Sequence, residues 1–192
     1  YATYLGGTGC DAASAIAVDT LGNAYVAGTA NSADFPTTAG VFQPLLKSTS
    51  PDGFLAKLNT TGAALVFSTY IGGTWEDAVN AVALAPDGSI VLAGTTASAD
   101  FPVTSGAFQT TRPRTDYSFV AKLNATASAL AYSTFFGAAA IRALALDASG
   151  NTHIVGETSG ALPIARAIQP VYYGGRCYNY SPSSGMPVSS YT

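Results

Sequence analysis

Charge is what this sequence has least of: Asp, Glu, Lys and Arg make up 10% of its 192 residues, where soluble domains usually carry roughly 25%. Eight basic residues face eleven acidic ones, for a net charge of −3. No broad cationic field is on offer to a phosphate backbone, which excludes nucleic acid as a partner. Long apolar runs are missing too. Each is broken by Gly, Asp or Asn well short of the ~20 residues that cross a bilayer as a helix, so membrane insertion is not expected. Cysteine is limited to Cys10 and Cys177, with neither a Cys-x-x-Cys spacing nor a histidine cluster beside them, which argues against zinc. No initiator Met and no charged-then-apolar leader precede Tyr1, so a processed secretory chain, a piece of a longer one, or both is expected.

What the sequence does have is hydrophobic residues, 48% of the total, enough to exclude global disorder, and a long internal repeat. Thr3-Tyr4-Leu5-Gly6-Gly7 returns as Thr69-Tyr70-Ile71-Gly72-Gly73 and, degraded, as Thr134-Phe135-Phe136-Gly137-Ala138. Tyr4 to Tyr70 and Gly22 to Gly88 share an offset of 66 residues. A period of this length means units that complete their cores only against one another.

Within the first unit, Ser14–Asp19 and Ala24–Thr29 flank the turn Thr20-Leu21-Gly22-Asn23 and read as a hairpin of two strands. A long polar connection from Ala30 to Asp52 follows. Two more strands, Gly53–Asn59 and Ala64–Tyr70, are joined by Thr60-Thr61-Gly62. The apolar runs are nearly continuous, as in strands covered on both faces. The second unit repeats the plan with Val79–Leu84, Ile90–Thr95, Phe119–Asn124 and Ala129–Phe135, and the third supplies Ala143–Asp147 and Asn151–Gly156 before the pattern stops.

The expected fold is all-β: consecutive four-stranded antiparallel propeller-type blades. Residues 1–4 form the last strand of a preceding blade, 5–70 the first blade and 71–135 the second. Residues 136–170 make the first half of a third, and 171–192 a Tyr/Ser/Pro-rich long loop or tail. An open stack of sheets or a solenoid is the alternative, because three units do not fix ring closure.

The motifs Tyr-Leu-Gly-Gly, Ala-Ile-Ala-Val-Asp-x-x-Gly-Asn-Ala-Tyr-Val-Ala-Gly-Thr, Asp-Phe-Pro-Thr, Gly-x-Phe-Gln and Phe-Leu-Ala-Lys-Leu-Asn resemble the bacterial SBBP-type beta-propeller repeats over residues 1 to about 170. The resemblance implies a secreted or cell-surface protein whose repeats form blades, with no generally established catalytic activity. The third copy departs from the pattern, having lost the acidic linker equivalent to Glu76-Asp77.

In such a blade the long loop from second to third strand and the connection to the next blade lie at one end, where binding residues collect. Asp34-Phe35-Pro36 and Asp100-Phe101-Pro102 sit there, but repetition marks them as fold elements. Asp19, Gly22 and Asn23, with Asp147, Gly150 and Asn151, suggest a calcium turn, yet one carboxylate per turn falls short of the 6–8 oxygens calcium takes. Asp11, Glu76 and Asp77 lie in interblade linkers without a positioned second carboxylate for acid and base work. His153 reads as a half-buried strand histidine. Asn59 and Asn124 fit the glycosylation acceptor pattern, but both occupy the same turn of the repeat. Cys10 and Cys177 fall at the same end and form a candidate disulfide. Arg112, Arg114, Tyr172 and Tyr173 are not repeated, which makes them candidate partner contacts.

The expected function is therefore a non-catalytic structural or protein-interaction module, without cofactor or metal. It would assemble with further blades, itself or a partner subunit, in an extracellular or cell-surface setting. The alternative is a glycan-binding or polysaccharide-active propeller fragment that uses the tyrosines of the long-loop face.

Overall fold

The computed structural model describes residues 1–112, 117–137, 140–158, 178–180 and 187–189. Among them there is no helix. The first sheet is β1 (Asp11–Val18), β2 (Ala24–Ala30), β3 (Asp52–Leu58) and β4 (Leu65–Ile71). The second is β5 (Asp77–Leu84), β6 (Ile90–Thr96), β7 (Tyr117–Leu123) and β8 (Leu130–Gly137). Both run in simple sequence order with antiparallel neighbours. A two-stranded sheet, β9 (Ala140–Leu146) with β10 (Thr152–Glu157), follows them, and the short strands β11 (Tyr178–Tyr180) and β12 (Pro187–Ser189) pair with each other.

The tight hairpins are made by local turn chemistry. Gly22 takes a left-handed φ of 89° while its amide donates to Asp19 O, and the Asp19 carboxylate accepts the Leu21 and Asn23 amides. Gly88 and Gly150 repeat the conformation. The turn between the third and fourth strands differs in its two copies. Gly62 has φ 68° in the first, but Ala127 has φ 52° in the second. Ala127 sits in the core with its methyl buried, and its carbonyl accepts the Phe42 amide from the neighbouring sheet at 2.8 Å. Tertiary contact holds an L-residue where the isolated turn favours glycine.

Each first strand carries an irregularity, between Ala13 and Ala15, between Val79 and Ala81, and across from Val155 and Gly156. There the opposing backbone closes onto a glycine: a Cβ on Gly28, Gly94 or Gly156 would collide with the carbonyl of Ala12, Ala78 or Ala140. The repeated Gly is thus required by a bulge.

Sheets stack through their first strands. β5 packs on β1, β2 and β3, and β9 packs on β5, β6 and β7. Tyr25, Leu55, Phe67 and Ile71 of the first sheet meet Ile90, Leu92, Phe119, Leu123 and Phe135 of the second in one core. A second cluster of Phe35, Phe54, Ala56 and Tyr70 covers the other face of the first sheet. These are consecutive blades, as the sequence predicts, and the described residues do not close them into a barrel. The stretch 1–4 takes no strand partner among the described residues, and Tyr4 is fully exposed.

The long loops fold back on their own blades. Phe35 stacks on Phe54 with ring centroids 4.7 Å apart, and Phe101 on Phe119 at 4.3 Å. Further along, the Gln43 carbonyl accepts Tyr70 N of β4 and its amide donates to the Thr69 hydroxyl, and Gln109 does the same on β8 with Phe135 N and the Thr134 hydroxyl. The loop thereby covers the outer edge of the fourth strand, which would otherwise be open to pairing. The expectation that the Asp-Phe-Pro motif is architecture agrees with this packing. Gly94→Ala forces a methyl against the Ala78 carbonyl, and overpacking of this kind costs about 1–3 kcal/mol. Urea denaturation should register that loss with an unchanged slope.

Candidate functional site

The two ends of the blades use their carboxylates differently. At the tight-turn end every carboxylate is consumed locally. Asp19 binds its own turn, Asn23 Nδ2 at 2.8 Å and Lys57 Nζ at 3.2 Å. Asp87 binds Ser89 and Lys122, and Asp147 binds Asn151 with His153 Nε2 3.6 Å away. These bonds hold all three carboxyls below the usual carboxylate range, the Asn23, Ser89 and Asn151 side chains contributing most. The Asp19 and Asp147 turns are thereby occupied by their own donors. His153 is exposed, not half-buried as the sequence suggests, because no described strand pairs with the free edge of β10. Asn59 and Asn124 also cap their own turns through Oδ1.

At the long-loop end, the starts of the odd strands and the ends of the even ones bring Asp11, Asp34, Asp52, Glu76, Asp77 and Asp100 to one face. Asp11 accepts the Gly7, Asn31 and Ser32 amides and the Ser32 hydroxyl. Asp34 accepts the Thr8 amide and hydroxyl, which lower its pKa. In the second blade Asp77 binds Gly73 and Ser98, while Asp100 binds Thr74. The linker acids flagged in the sequence are, in the main, braces for the linkers.

One carboxylate breaks this scheme, and the sequence pattern alone did not single it out. Asp52 opens β3, is 0% exposed, and comes together with Asp77, 2% exposed, from the next blade. A Cβ built on Gly72 would fall against Asp52 Oδ1 and within 2.7 Å of Asp77 Oδ2. Gln43 Nε2 donates to Asp52 Oδ2 at 2.6 Å, and the Asp77 amide bonds Pro51 O at 2.9 Å across the blade junction. Burial, followed by the charge of Asp77, pushes the Asp52 carboxyl up to about 6. Burial raises Asp77 as well, opposed by Thr96, Gly73 and Ser98. Among the described residues no group of three or more His, Cys, Asp or Glu converges as a metal cluster.

The remaining feature is apolar. Between the second blade and the β9–β10 hairpin lies a cleft of about 620 Å³ lined by Val91, Phe108, Val120, Tyr132, Phe136 and Ile154, among others. By the repeat, Phe67 and Ile71 of the first blade correspond to Tyr132 and Phe136 of the second. The former pair is buried against the next blade, whereas Tyr132 is 38% exposed and Phe136 is only half-buried, with Phe108 beside them exposed. On the far side of the first blade, Ile16 and Val18 are exposed, while their counterparts Val82 and Leu84 pack on the core.

Of the other sequence candidates, Arg112 donates from Nη1 to Ala97 O at 2.5 Å and so reaches back onto its own blade. Cys10 is exposed in the linker before β1. Its candidate partner Cys177, together with Arg114, Tyr172 and Tyr173, lies outside the described residues.

The family model for the SBBP beta-propeller repeat matches residues 1–36. That stretch holds the first linker, hairpin and Asp-Phe-Pro plug, whose fold recurs in residues 67–102. Residues 1–36 are thus similar to an SBBP-type beta-propeller repeat, as the sequence motifs suggest. A search of curated proteins found no match. The Asp52–Asp77 pair is not repeated in the sequence at the next junction, where Tyr117 and Ala139 hold the corresponding positions.

The raised Asp52 carboxyl fixes the sign of a pH effect. The unfolded carboxyl ionises near 3.8 and the folded one near 6, so the folded state holds the extra proton between them. Stability from this group is complete below pH 4 and lost as pH rises through 6. The gap corresponds to about 3 kcal/mol at neutral pH. In buffer containing EDTA, Asp52→Asn should raise the melting temperature at pH 8 and flatten its fall between pH 4 and 6. An unchanged profile would show that Asp52 is not buried as described.

Proposed function

We propose that the chain acts as a non-catalytic interaction module. Its blades bury their open apolar faces against further blades, supplied by a second copy or by a partner subunit. The observation that carries this reading is the unequal burial of equivalent residues. Phe67 and Ile71 are dry at the junction between the two blades, while their counterparts Tyr132 and Phe136 line an accessible cleft. Ile16 and Val18 offer, on the opposite side, the same kind of surface with which Val82 and Leu84 pack on the core at the junction. One side therefore resembles the socket and the other the plug of an interface the molecule already makes once. The SBBP-type repeats favour a structural role for it, and a secreted or cell-surface setting fits the same resemblance.

Light scattering after size exclusion tests the proposal. The expected result is a mass above the 19.4 kDa of one chain at micromolar concentration. The double variant Ile16→Lys, Val18→Lys should lower the association constant by tenfold or more, since two desolvated aliphatic side chains are worth at least that. A monodisperse monomer at all concentrations, with no tightening on addition of a partner, would overturn it.

A further inference from the structure

Gly72 follows β4, and two aspartates from adjoining sheets close on it. Asp52 Oδ1 and Asp77 Oδ2 both lie within 2.7 Å of the one point where a Cβ on Gly72 would sit, so the two carboxylates are separated by less than twice that distance. Gln43 Nε2 serves Asp52 Oδ2, and Gly73 N and Ser98 Oγ serve Asp77 Oδ2. The Thr96 hydroxyl stands beside Asp77. Even so, Asp52 Oδ1 and Asp77 Oδ1 are buried with no hydrogen-bond partner. The nearby cation, Lys47 Nζ, lies instead 3.5 Å from Asp100 Oδ2 in an exposed pair.

Two like charges buried together with an orphaned oxygen on each are costly, and Lys47, whose charge acts on Asp52 from a distance, is paired with Asp100 instead. We propose that Asp52 and Asp77 bind a divalent cation of the calcium class at the junction of the two blades. The groups around the pair are oxygens and amides: Thr96 and Ser98 add neutral hydroxyl oxygens beside Asp77, the donor chemistry that hard cations select, while Gln43 holds Asp52 through Nε2. The absent side chain of Gly72 leaves the two carboxylates room to approach each other. Asp11, Asp34, Glu76 and Asp100 occupy the same end of the blades, and a face of that sign concentrates cations. Because the sequence has Tyr117 and Ala139 in place of the aspartates at the next junction, the site takes a single ion per chain. It ties strand β3 of one blade to strand β5 of the next and does not depend on the interaction surfaces above.

The test uses protein stripped with EDTA and returned to CaCl2. Millimolar calcium should raise the melting temperature by several degrees, saturably, as expected for a ligand of the folded state alone. Terbium should bind one per chain with sensitised emission through Trp75, the one tryptophan, two positions before Asp77. Asp52→Asn and Asp77→Asn should each abolish both responses, while Glu76→Gln leaves them in place. A melting temperature in the wild type unmoved by CaCl2 or MgCl2 overturns the proposal, as does a calcium response that survives Asp52→Asn. Stabilisation on acidification alone, with no response to either salt, means the carboxylates share a proton, and the cation site is wrong. Should the asparagine variants fail to fold, calorimetric titration of the wild type still decides, since absence of one-to-one calcium binding ends the idea.

Discussion

The contact between successive sheets is the constraint on which everything else in this molecule depends. Backbone pairing satisfies the polar groups inside each four-stranded sheet, but a sheet with two apolar faces stays dry only if neighbours cover both. β5 meets that need by packing across β1, β2 and β3, and β9 does so against β5, β6 and β7. The aromatic plugs follow from the same demand. Phe35 and Phe101 bring the long loops down onto faces that strand residues alone do not fill. A chain organised this way has little room for charge, because most side chains in its strands face another sheet.

The charges that remain are pushed to the two ends of the strands and there acquire separate roles. Asp19, Asp87 and Asp147 fasten the tight hairpins, each within hydrogen-bonding reach of its own turn. Asp11, Asp34, Asp77 and Asp100 fasten the linkers and long loops to the opposite end. Both sets stabilise by bonding backbone amides that loops would otherwise leave to solvent. Chemistry beyond that requires a carboxylate that is not already spoken for.

Strands, turns and the pairing of blades were legible in the sequence because each has a local signature repeated in register: the turn glycine, the bulge glycine, the phenylalanine before proline. Asp52 was not. In Ser50-Pro51-Asp52-Gly53 it reads as an ordinary turn residue, and it is buried because Asp77 N of the following blade bonds Pro51 O above it. That is a long-range event with no local trace. A signal does exist in the comparison of copies, where Tyr117 stands at the place of Asp52 and Ala139 at the place of Asp77. His153 is exposed for a related reason: what lies beside β10 decides it, and its own strand pattern cannot report that.

Repetition therefore sorts residues by role. A position filled alike in each copy answers a need that every blade has, as Gly28, Gly94 and Gly156 do at the bulge. A position filled differently answers a need of one junction. Ala127 replaces the glycine of its turn and is held left-handed by the Phe42 amide of the adjoining blade. Asp52 replaces an aromatic residue and places a buried acid against Asp77. Both departures are found where the two complete blades meet, and both work only because a specific partner sits opposite. Individual properties in a protein of near-identical units arise at such breaks, since a feature shared by all units can distinguish none of them.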